Sequence, residues 1–203
     1  MAQPVSPADI TGLILAGGRG SRMNECDKGL QLLHGRPLAQ HALERLRPQV
    51  GSLCISANRN PEQYRALGVP VFGDDFPGYA GPLAGIHAGL VHCTTPWLAC
   101  VPCDSPAPPR DLVTRLTDGA VEADADIAFA ATGEGEALRS HPVFCLLRTA
   151  LLPQLQTYLE GGGRKVGAWQ STLKSAQVHF ADAQAFRNIN SQAELRDYEG
   201  AQS

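Results

Sequence analysis

Apolar positions along this chain fall into short unbroken runs, separated by longer stretches where they recur every three or four residues. Residues 10–15 read Ile-Thr-Gly-Leu-Ile-Leu and continue into Ala16-Gly17-Gly18, which predicts a buried strand emptying into a glycine loop. Residues 38–46 place Leu38, Ala42, Leu43 and Leu46 on one helical face, and Pro48 marks the stop. Residues 53–57 and 69–72 read as strands. A helix over 82–92 follows, with Pro82 in the first turn, where its missing N–H costs nothing. Residues 97–101 form another buried strand, closed by Pro102-Cys103-Asp104, and a helix spans 109–117. Strands over 127–131 and 143–147 flank a flexible Gly133 to Glu136 stretch. The last third predicts a helix over 149–159, a glycine turn at 161–163, a helix from Arg164 and a short strand over 178–180. Ser191 and Glu194 have capping-box spacing and open a final helix.

This alternation of strands and helices predicts an α/β fold, a three-layer Rossmann-like arrangement with a mostly parallel sheet between helices. No repeat, low-complexity stretch or linker divides the chain, so residues 10–203 are expected to be one domain after a flexible leader over 1–9. Right-handed crossovers put strand C-termini on one edge, where open α/β sheets bind ligands. Three loops leave that edge, after Leu15, after Phe72 and after Val101.

Composition narrows the function. The chain has 203 residues, 43% of them hydrophobic, with 17 basic against 20 acidic residues. Basic residues are nowhere dense enough to predict a nucleic-acid surface. No apolar run is long enough to span a bilayer, and the N-terminus lacks signal-peptide blocks, so a cytoplasmic protein without membrane contact is expected. Six cysteines sit in apolar segments and read as reduced thiols.

The glycine loop offers backbone N–H groups to an anion. It is neither a Walker loop nor the dinucleotide-binding fingerprint. Arg19, Arg22 and Lys28 lie on or beside it; they are either solvated charges or a clamp for a triphosphate and its departing pyrophosphate. Asp104 ends a buried strand at the same edge. It is either a turn aspartate or the single carboxylate that a magnesium ion takes alongside substrate phosphates.

Taken in order, Leu15-Ala-Gly-Gly-x-x-x-Arg-Met23, Asp27-Lys28-Gly29 and Gly35-Arg-Pro-Leu38 resemble the start of the molybdenum cofactor guanylyltransferases, the MobA family. Cys103-Asp104-Ser105-Pro106 resembles that family's magnesium motif, and the likeness runs from about residue 10 to residue 198. Broader relatives usually have Pro-Lys where this chain has Asp27-Lys28, and cytidylyl-transferring ones tend to have Leu-Ala-Ala-Gly at the loop.

The resemblance implies the nucleotide-diphospho-sugar transferase type of fold, with a nucleotide-binding N-terminal half and an acceptor-binding C-terminal half. Leu15, Ala16, Gly17, Gly18, Arg19, Lys28, Asp74, Gly81, Pro82, Leu83, Gly85 and Asp104 would contact GTP. Ser56 joins them, standing where the family can carry an asparagine. Arg22, Lys28 and Asp104 would be catalytic, with Asp104 also the Mg²⁺ ligand. His141, Arg164, Lys165, Asn188 and Asn190 would serve the acceptor.

The implied reaction moves GMP from GTP to molybdopterin, with or without molybdenum, and releases pyrophosphate. Apo-molybdoenzymes or their chaperones would be partners in delivery. Another acceptor or CTP on the same fold is the nearest rival. A Cys100/Cys103 redox or zinc module and a purely binding module are more distant ones.

Overall fold

The computed structural model describes residues 4–17, 27–74, 76 and 81–200. Strand β1 (Ile10–Leu15) is buried at all six positions, because helices cover the sheet on both faces. A two-residue hairpin, β2 (Leu32–Leu33) and β3 (Arg36–Pro37), leads into α1 (Leu38–Leu46). Strand β4 (Ser52–Ser56), helix α2 (Pro61–Arg65), strand β5 (Val71–Phe72), helix α3 (Pro82–His92) and strand β6 (Trp97–Pro102) follow. The second half contributes α4 (Leu112–Glu122), β7 (Ile127–Thr132), β8 (Arg139–Arg148), α5 (Leu152–Glu160), α6 (Val166–Gln170), β9 (Ser175–Phe180) and α7 (Gln192–Gly200).

Seven strands form one sheet in the order β5-β4-β1-β6-β8-β7-β9. Strand β8 runs antiparallel to both its neighbours and the other ladders are parallel, so the mostly parallel three-layer fold is as expected. Alternation along each strand divides the core between the two faces. Ile10 and Ile14 of β1 join Leu43 and Leu46 of α1 and Leu112 and Leu116 of α4. Leu13 and Leu15 face the other way, with Leu83 and Ile86 of α3, Leu155 of α5 and Trp169 of α6. Each such aliphatic side chain contributes about 2 kcal/mol on burial.

A third, smaller cluster joins Leu33 and Leu38 to Ile189 and Leu195. It brings the last helix back onto the hairpin of the first half.

Several expectations need correction. Residues 5–9, expected as a leader, are built into the fold. Val5 packs on the core, and the Asp9 carboxylate accepts from Ser6 N at 2.9 Å and Oγ at 2.8 Å. The helix expected over 109–117 begins at Leu112 and runs to Glu122, because Pro108 and Pro109 hold the preceding turn extended. The helix expected from Arg164 begins at Val166, with Lys165 at its extended cap position.

At Ser191 the capping box is half formed. Ser191 Oγ accepts from Glu194 N at 3.1 Å, but the Glu194 carboxylate accepts from Asn190 N, one residue earlier than the box requires. Among the described residues no helix is long and apolar enough to cross a membrane.

Candidate nucleotidyl-transfer site

The site sits where β1, β4 and β6 end. Cys103 N donates to Leu15 O at 3.0 Å and Ala16 N donates to Ser56 O at 2.8 Å. The backbone leaving β1 is therefore held between its two neighbouring strands. Leu15 and Ala16 are buried, so neither presents a side chain at this edge. Gly17 lies beside Asn58 and Asp74: a Cβ there would stand 3.5 Å from the Asn58 amide nitrogen and 3.8 Å from an Asp74 carboxylate oxygen. Gly18, Arg19 and Arg22 lie outside the described residues.

The chain returns at Asp27, held from α2. Its carboxylate accepts from Tyr64 Oη at 2.5 Å and from Asn60 Nδ2 at 3.0 Å. Tyr64 is fully buried, and burial pushes its phenol well above the ordinary tyrosine range, with the Asp27 carboxylate and Cys103 adding to the effect. The phenol is thus a fixed proton donor. A short 3-10 turn, Lys28–Leu30, follows.

Lys28 reaches across the edge. Its Nζ donates to Asn190 Oδ1 at 2.6 Å and stands 3.4 Å from Asp104 Oδ2. The Asp104 side chain is only 13% exposed. Burial raises its carboxyl above the usual carboxylate value, the ammonium of Lys28 opposes that rise, and Glu194 adds slightly to it. A desolvated carboxylate with one weak cationic partner favours a further positive charge.

That chemistry fits a hard divalent cation, which needs one protein carboxylate when phosphates and water complete its shell. Among the described residues no group of three metal-ligating side chains occurs. Asp104 would thus hold such a cation only together with substrate.

The acceptor-side residues divide. Ile189 N donates to Asp104 O at 2.8 Å, and fully buried Ser105 donates to Asn188 Oδ1 at 2.6 Å. Asn188 and Asn190 are thus tied to Asp104, Ser105 and Lys28, and only Asn190 has its side chain on the lysine. His141 lies at the same sheet edge but is engaged structurally: Nε2 pairs with Thr132 Oγ1 at 2.9 Å and the ring stacks on Phe186 at 4.7 Å. Burial, with help from Arg139, lowers its pKa, so the ring is held neutral.

Arg164 turns onto backbone carbonyls, donating to Leu159 O at 2.9 Å and Gly163 O at 2.6 Å. Lys165 is exposed, and its carbonyl accepts from Trp169 N at 3.1 Å and from Tyr158 Oη at 3.4 Å.

The second loop is a carboxylate clamp. Asp74 accepts from Asn58 Nδ2 at 2.6 Å and from Ser56 Oγ at 3.2 Å, while Asp74 N donates to Asn58 Oδ1 at 2.7 Å. Ser56 is buried and orients Asp74 rather than facing a ligand itself. Gly85 allows this: a Cβ there would stand 2.7 Å from Leu15 Cδ2 and 2.8 Å from Ser56 Oγ. Gly81, with φ of 72°, turns the chain into Pro82, which is exposed, whereas Leu83 points into the core.

Tyr64 and Asn60 escape a reading of hydrophobic period because α2 has only five residues. Asn60-Pro61, a cap residue before a proline, is the signal that finds it.

The Cys100/Cys103 pair is structural. Cys100 is buried opposite Cys145 of β8, and burial raises both its thiol and that of Cys103. Neither is a poised thiolate.

Residues 12–176 match a family model described as a MobA-like NTP transferase domain. A molybdenum cofactor guanylyltransferase of Bordetella petrii is 54% identical over 192 residues, covering 95% of this chain and 98% of that protein. One from Cupriavidus necator is 55% identical over 193 residues, covering 94% and 96%. Among solved structures, molybdopterin-guanine dinucleotide biosynthesis protein A of Archaeoglobus fulgidus superposes with a TM-score of 0.72 at 21% identity, covering 94% of this chain and 97% of that one. The 4-diphosphocytidyl-2C-methyl-D-erythritol synthase of Anaerococcus prevotii gives 0.76 at 10% identity, covering 97% and 99%; both structures share the fold.

Proposed function

The chain belongs to the MobA-like NTP transferase family, and from that premise we propose that it transfers GMP from GTP to molybdopterin, releasing pyrophosphate. The observation that carries the reading is the meeting of Lys28, Asp104 and Asn190 at the sheet edge, where β1 also ends. Relatives above half identity over nearly the whole chain bear the name of this activity.

Backbone N–H groups from Gly17 onward, with Arg19 and Arg22, receive the triphosphate. Asp74, held rigid by Ser56 and Asn58, presents acceptor oxygens suited to the N–H edge of guanine, whereas cytosine offers a different edge. Lys28 gives up its contact with Asp104 to neutralise the charge that builds on the leaving pyrophosphate. Mg²⁺, when bound at Asp104, supplies Lewis-acid charge at the α-phosphate.

Asn190 and Asn188 position the acceptor, whose terminal phosphate oxygen attacks the α-phosphorus in line as the bond to the β-phosphate oxygen breaks. An ionised phosphate needs no general base, so orientation and charge stabilisation carry the rate. His141 and Arg164 are assigned to holding the acceptor half in shape rather than to substrate contact.

Incubation with Mg²⁺, molybdopterin and each of GTP, CTP, ATP and UTP tests the reading. Dinucleotide product and pyrophosphate with GTP are expected. Preference for CTP, or GTP binding without product, would reassign the base or the acceptor.

A further inference from the structure

The loop that begins at Asp104 and Ser105 has a second side, which the transfer chemistry does not use. Two adjoining cavities open there, of about 750 Å³ and about 380 Å³, and both are lined by Arg45, Ala107 and Tyr198. They form one trough between α1, the loop before α4, the turn after β9, and α7. Arginines are spread along it: Arg36 and Arg110 at the smaller end, Arg115 and Arg187 at the larger.

Some of that charge is already spent. Arg36 is paired with Glu44 at 2.8 Å, and Arg115 donates to His179 O and lies 4.2 Å over the Phe180 ring. Among the described residues, the guanidiniums of Arg45, Arg110 and Arg187 make neither an ion pair nor a hydrogen bond. A chain with a formal charge of −3 thus concentrates three unpaired arginines in one groove.

The floor between them is apolar and aromatic, made by Ala107 and Tyr198 with buried Phe180 beneath. Asp111 and Asp182 stand on the same rim. They interrupt the positive charge, as Glu44 does in the smaller cavity. An evenly charged phosphate backbone therefore fits less well than a chain whose charges are spaced by apolar residues; no lysine lines either cavity. Arg110 lines only the smaller cavity and Arg187 only the larger, so the three are spread along the trough rather than gathered at one end.

We infer that this trough is a docking groove for an extended acidic segment of a partner protein, with carboxylates on Arg45, Arg110 and Arg187 and apolar side chains on Ala107 and Tyr198. Arginine pairs carboxylates in a fixed fork, and aromatic floors add area at little entropic cost. Pro106, two residues after Asp104, lines the smaller cavity, and Arg187, next to Asn188 in the chain, lines the larger. On the proposed function, a partner seated there is placed to pass acceptor in or take product away.

Binding is read separately from GMP transfer, so each can fail alone. A short fluorescein-labelled peptide alternating Glu with Leu and Phe is titrated with the full chain at low salt, and anisotropy is recorded. Saturable binding is expected, weakened at least about tenfold by Arg45→Glu with Arg110→Glu, and by replacing every Glu of the peptide with Gln. GMP transfer from free substrates should stay within about twofold, since neither arginine touches the transfer site. If the charge-reversed pair misfolds, Arg45→Gln with Arg110→Gln serves the same comparison. Equal binding by wild type and variant would overturn the groove. Displacement of the peptide by polyphosphate or a single-stranded oligonucleotide at equal or lower concentration would overturn its assignment to a protein segment.

Discussion

At Asp104 folding and chemistry pull in opposite directions. Its carboxyl is raised by burial and only partly relieved by Lys28. A group whose folded pKa lies above its unfolded one contributes stability that is complete below the ordinary carboxylate value of about 4 and is lost as pH rises through the folded value. Asp104→Asn removes that ionisation. The variant should unfold at the same temperature as wild type or higher, with the difference growing from pH 4 towards neutrality, while turnover falls by at least about 10²-fold. A variant that melts well below wild type would show that Asp104 is needed for folding instead. Lys28→Met should cost about 10²-fold in turnover and move the acid limb of the rate profile to higher pH, because the charge that lowers the Asp104 pKa is gone. An acid limb unchanged in that variant would mean that another group sets it.

Helices place these side chains, and here the sequence was legible to different degrees. Long apolar periods show directly: α1 and α3 have the bounds that their patterns predict. Clusters of Pro and Gly blurred the starts of α4 and α6, since proline fixes the chain before a helix as readily as within its first turn. The five-residue α2 carries too little period to read, yet it and its cap residue Asn60 supply the two donors to Asp27. Of the site, Asp104 and the glycine loop were readable as types of chemistry, and the roles proposed for them came from the family resemblance. That Arg164 would turn onto carbonyls and His141 would pair with Thr132 was not readable, because both depend on neighbours brought in by the fold. Tyr64→Phe tests the α2 contribution. Losing a buried donor to a carboxylate should cost about 1–3 kcal/mol of stability. If the latch positions Lys28, kcat should fall several-fold with little change in the KM for GTP. Gly85→Ala should act the other way, costing about 1–3 kcal/mol through overpacking against Leu15 and Ser56 and raising the KM for GTP more than it lowers kcat.

Across the whole molecule the site closes only when the chain's two ends meet. Lys28 and Asn190 are 162 positions apart, yet they share a 2.6 Å hydrogen bond. Ile189 N binds Asp104 O, and the Glu194 carboxylate accepts from Asn190 N at the start of α7. Leu195 then fastens α7 into the cluster with Leu33, Leu38 and Ile189. This cluster is small and stands apart from the two main cores, so α7 can loosen without the sheet unfolding. Leu195→Ala removes most of a buried side chain at 5% exposure, and should cost about 2–3 kcal/mol. Its cost should fall locally, raising amide exchange in α7 before that of β1 or β6. Loosened α7 leaves Asn190 without its fixed backbone, so the KM for the acceptor should rise while GTP binding, proposed for β1, β4 and α3, is retained. Hydrogen exchange with and without GTP, alongside steady-state kinetics, separates the outcomes. Exchange that rises uniformly over the sheet would make α7 part of one cooperative unit. Fast exchange in α7 with unchanged acceptor kinetics would remove Asn190 from the acceptor site.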